Sequence, residues 1–217
     1  GTMDSNFGSN PQQLLDLLHT RLMRPRDVDL FINDDNVLSE FEFASRVASW
    51  LRMWQTLPKG SWALYETRVD EFAAAFLAAS IAQQTLYISN DTLPSTVQHL
   101  SQWVDGFVGA FEKQSVHNPL TKGHSFSDLE SKRFIPNPEF DQAFDENLLP
   151  LNLEGCPNLL SDYCVFFLTS GSTGTPSIVQ KSFKQLCLET MVLELFFGQE
   201  LLKNIETPFC VHATVSH

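Results

Sequence analysis

The run TSGSTGTP places Thr169, Ser170, Gly171, Ser172, Thr173, Gly174, Thr175 and Pro176 in succession, two glycines among five hydroxyl side chains. Glycine permits the positive φ angles that turn successive backbone N–H groups toward one point, and hydroxyls can donate to the same point. Phosphate oxygens need that convergence of donors, so Thr169, Ser170, Gly171, Ser172, Thr173, Gly174 and Thr175 are the expected phosphate-binding residues. The run is not a Walker loop, because its glycines lie too close together and no Lys-Ser/Thr pair follows Gly174. It also lacks the G-x-G-x-x-G spacing of a dinucleotide fingerprint. A Walker-type nucleotide kinase is set aside on the same ground.

Composition limits the ligand further. The chain carries 14 basic and 26 acidic residues, a formal charge of −12, which repels nucleic acid and anionic membrane surfaces at long range. A phosphate site here must therefore work through local N–H donors, not through the overall field. No apolar run reaches the roughly 18 residues of a membrane span, and the N-terminus lacks the basic-then-apolar opening of a signal peptide. A soluble cytoplasmic protein with no membrane span and no nucleic-acid partner is expected. Cys156, Cys164, Cys187 and Cys210 include no CxxC, so they read as core thiols and not as a zinc site. His117 and His124 read as exposed loop histidines, and no metal-ligating residue is assigned.

The elements that would hold the glycine-bearing loop are legible around it. Residues 163–168 read as a buried strand and 178–181 as extended, with Ser182 and Gln185 forming a capping box for a helix striped by Phe183, Leu186, Thr190, Leu193 and Phe197. A last strand begins at Phe209. Toward the N-terminus, 28–38 reads as a β-hairpin through Asn33-Asp34-Asp35-Asn36. A second capping box, Ser39 with Glu42, opens a helix whose face carries Ala44, Val47, Ala48, Leu51 and Trp54. Residues 62–65, 69–82 and 85–89 then make a β-α-β unit of parallel-crossover length, its helix rich in close-packing alanines. A helix at 93–103 and a strand at 107–110 continue the alternation. Residues 1–3 read as an expression remnant, 4–111 as an α/β subdomain, 112–160 as an irregular connector anchored by Phe134 and Ile135, and 161–217 as the start of a second α/β subdomain.

At TSGSTGTP the sequence resembles the phosphate-binding signature of the adenylate-forming (AMP-binding) enzymes: acyl- and aryl-CoA synthetases, peptide-synthetase adenylation domains and luciferases. Lys181 and the Gln185-Leu186 pair are similar to the carrier-protein-linked ligases of that family, and residues 213–217 look like the lead-in to their acyl-pocket motif. The resemblance implies an α/β fold with parallel or mixed sheets flanked by helices, like the family's N-terminal domain but incomplete. It also implies ATP and Mg2+ as cofactors, a carboxylic acid substrate, and a thiol acceptor on CoA or an acyl carrier protein. The loop would close over the β- and γ-phosphates while the acid forms an acyl-adenylate. The adenine-binding segment, the ribose-binding aspartate and the catalytic lysine of a C-terminal domain would lie beyond His217, so no catalytic residue is assigned and the fragment alone is expected to be inactive. In the family a lysine follows the proline, where this chain has Ser177. The alternative expectation is a truncated or degenerate member that serves as a binding or scaffold module.

Overall fold

A computed structural model describes residues 24–27, 29–33, 36–111, 129, 131–139, 163–170, 176–182 and 185. The chain opens with an antiparallel hairpin of β1 (Asp29–Asn33) and β2 (Asn36–Ser39). Helix α1 (Glu40–Thr56) starts at once, because the Ser39 hydroxyl accepts from the Glu42 N–H at 3.0 Å and two glutamates, Glu40 and Glu42, sit at the positive end of the helix dipole. Glu40 is buried and is held there by Arg26, whose guanidinium donates to it at 2.7 Å and whose backbone N–H donates at 3.0 Å. The expected stripe of Ala44, Val47, Ala48, Leu51 and Trp54 is the buried face.

Strand β3 (Ser61–Tyr65), helix α2 (Val69–Ile81) and strand β4 (Thr85–Ile88) follow as a parallel β-α-β unit. Helix α2 is buried between the sheet and α1, and Ala73, Ala74, Ala75, Ala78 and Ala79 permit that close approach on both sides. Two indoles pin the helices together: Trp54 Nε1 donates to the Ala75 carbonyl at 3.1 Å, and Trp50 Nε1 donates to Glu71 Oε2 at 2.9 Å. Helix α3 (Pro94–Leu100) is shorter than the expected 93–103, since Pro94 sets its first turn and residues 101–103 form a turn. Strand β5 (Gly106–Gly109) follows.

Strand β6 (Arg133–Ile135) falls inside the expected connector and pairs parallel with β5, where Phe134 stacks on Phe107 at 5.0 Å. Strands β7 (Cys164–Ser170) and β8 (Pro176–Ser182) complete a six-stranded sheet of order β6-β5-β3-β4-β7-β8. Strand β7 lies parallel to β4, and β8 is antiparallel to β7. Strand β7 buries its apolar side chains by joining the sheet beside β4, so β7 and β8 share one sheet with β3, β4 and β5. Helices α1 and α2 cover one face with Trp62, Leu64, Leu86, Val165 and Phe167. Helix α3 covers the other with Ala63, Phe107 and Leu168. Among the described residues no helix is long and apolar enough to cross a membrane. The helix expected from Phe183 and the strand expected at Phe209 lie outside the described residues, as do residues 1–3, His117, His124, Cys156, Cys187 and Cys210.

One buried acid in this layer sets a pH response. Burial pushes the Glu71 carboxyl above its ordinary range, opposed by the Trp50 hydrogen bond and the Arg46 guanidinium, with Asp70 and Glu66 adding to the rise. The folded state therefore holds a proton that the unfolded state has released in the window between the ordinary and the raised value, and stability falls as pH rises through that window. Urea unfolding from about pH 4 to about pH 8 should show that fall in the parent and a flatter profile for Glu71→Gln. Equal slopes in the two proteins would refute the assignment.

Candidate phosphate-binding site

Strand β7 carries the site to the edge of the sheet. Val165 and Phe167 face α1 and α2 while Leu168 faces α3, so the strand is apolar on both sides until Thr169. Strand β8 returns in unbroken register, from Cys164 opposite Ser182 to Thr169 opposite Ser177 and Ser170 opposite Pro176. Pro176 has no N–H to give the ladder, which suits it to this last pair before the connection. Of the expected phosphate-binding residues, the structure sets Thr169 and Ser170 at the end of β7; Gly171, Ser172, Thr173, Gly174 and Thr175 lie outside the described residues. The capping box past β8 is reciprocal: Ser182 N donates to Gln185 Oε1 at 2.8 Å, and Gln185 N donates to Ser182 Oγ at 3.2 Å.

Thr169 is already engaged. Its hydroxyl donates to the Ser177 carbonyl at 3.1 Å and meets the Ser177 hydroxyl at 2.7 Å. Lys181 does not replace the absent lysine. It pairs with Val165, four residues back from the Thr169–Ser177 pair, and its ammonium lies over the Phe167 ring, 5.6 Å from the centroid. Four residues of strand span roughly 13 Å, so the charge stops well short of position 177.

The surrounding topology favours ligands at this edge. Strands β3 through β7 are parallel, and their carboxyl ends share one side of the sheet. Strand β3 leads to α2 on one face and β4 leads to α3 on the other, so the two connections diverge at this edge, the kind of position where open α/β sheets hold ligands. Polar groups collect there that spacing did not mark. Glu66 accepts from Arg68 N at 3.0 Å and from Asn137 Nδ2 at 2.8 Å, and Asp91 accepts from Leu93 N at 3.0 Å. The only sequence signal for them is position: each follows the end of an apolar strand. Strand β7 ends at Ser170, next to β4 on this same side.

Among solved structures, the chain is similar to the inhibitor-bound N-terminal domain of FACL13 from Mycobacterium tuberculosis, with a TM-score of 0.52 and 17% identity over 77% of this chain and 43% of that one. The chain has the fold of an adenylate-forming enzyme's N-terminal domain. Weaker likenesses are to o-succinylbenzoate CoA synthetase (MenE) from Bacillus subtilis in complex with ATP and magnesium, and to the adenylation domain AlmE from Vibrio cholerae with glycyl-adenosine-5'-phosphate. The first has a TM-score of 0.45 and 15% identity over 77% of this chain and 43% of that one. The second has a TM-score of 0.43 and 15% identity over 80% and 36%. The chain thus spans less than half the length of each. No protein-family model and no curated protein matches it. Within this fold, β7 and β8 carry the two ends of the TSGSTGTP run that gave the resemblance at the level of sequence.

Proposed function

We propose that this chain is the N-terminal part of an ATP-dependent carboxylic acid ligase, in which the 169–175 run binds the β- and γ-phosphates of ATP. The observation that carries the reading is the eight-residue TSGSTGTP run at a hairpin on the carboxyl side of a parallel sheet, within a fold of the matching type. In the proposed reaction a carboxylate oxygen attacks the α-phosphorus, the bond to the β-phosphate oxygen breaks, and pyrophosphate leaves with Mg2+. A thiol, of CoA or of a carrier protein, then attacks the acyl carbonyl and AMP departs. The run contributes backbone N–H and hydroxyl donors that orient the departing pyrophosphate, an electrostatic and positioning role.

Calorimetric titration of the 217-residue chain with Mg-ATP tests the first half of this reading. Binding is expected, and Gly171→Val together with Gly174→Val should weaken it by at least about tenfold, because hydrogen bonds to charged groups are the strong ones. Equal affinity in parent and double variant would remove the run from the site. One observation favours a second reading, a non-catalytic binding or scaffold module: the cation expected after Pro176 is replaced by Ser177, and a hydroxyl cannot offset phosphate charge. ATP-dependent pyrophosphate exchange by the longer protein, across fatty and aromatic acids, separates the two; exchange with any acid excludes the second.

A further inference from the structure

We draw no further inference here: the strongest candidate, the aromatic patch beside α3 in which Tyr87 of β4 stacks on Phe166 of β7 and on the exposed Trp103, carries none because nothing in the structure shows what covers it.

Discussion

Gln84→Leu is expected to destabilise the protein by about 3–5 kcal/mol, with a fall in Tm on the order of 10 °C. Gln84 follows the end of α2, and its side chain is buried among groups that need partners. Its Oε1 accepts from Trp62 Nε1 at 3.0 Å and from Gly60 N at 2.9 Å. Its Nε2 donates to the carbonyls of Trp54 and Pro58, both at 3.1 Å. One amide thus joins the end of α1, the turn into β3 and the largest side chain of β3. Leucine has similar bulk but leaves the buried Trp62 indole N–H and the Gly60 N–H without the acceptor they share, while the Trp54 carbonyl keeps only the Leu57 N–H, and each orphaned group costs about 1–3 kcal/mol. Gln84→Glu keeps the acceptor and loses the donor, so it should fall between parent and leucine variant in urea unfolding. A leucine variant within about 1 kcal/mol of the parent would show that solvent reaches this site.

Gln84 also marks where sequence reading stops. The stripe on α1, the alanines of α2 and the β-α-β order follow from local periodicity, and they were legible because burial imposes that periodicity on each element separately. A single glutamine between a helix and a strand carries no such period, although it ties three elements together. Strand order is hidden for the same reason. Nothing local in 164–170 says that β7 pairs with β4 across some 75 residues of chain, as Tyr87 opposite Phe166 does. Strand β6 was visible only as the apolar pair Phe134-Ile135, since three residues are too few to show an alternation. At the site, the ordered run of glycine and hydroxyl residues was plain. The Thr169–Ser177 pairing was not, because it depends on hairpin register, which is set by the length of the connection and the burial pattern of both strands together.

Gly109→Ala should cost about 2–4 kcal/mol of stability while leaving the Mg-ATP affinity of the folded chain within about twofold of the parent. Gly109 ends β5 with φ +105°, a backbone conformation that side chains resist. A Cβ there would also stand 2.6 Å from the Tyr65 carbonyl oxygen on β3 and 3.4 Å from Asn137 Oδ1. The first neighbour is backbone locked in the ladder and has little room to give way. Gly106, at the other end of the strand, repeats the argument without the φ constraint: a Cβ would meet the Arg133 carbonyl at 2.6 Å and the Trp62 ring at 2.7 Å. Two glycines therefore let β5 fit between β3 and β6 beside bulky neighbours. The strand lies on the far side of β3 and β4 from β7, so its damage should be global and not local to the phosphate-binding run. Unfolding curves and calorimetry of the same Gly109→Ala sample separate the two effects. An affinity loss well beyond twofold in fully folded protein would mean that nucleotide reaches across the carboxyl edge to the ends of β3 and β5, and that the hydrogen-bonded Glu66–Asn137 pair belongs to the site.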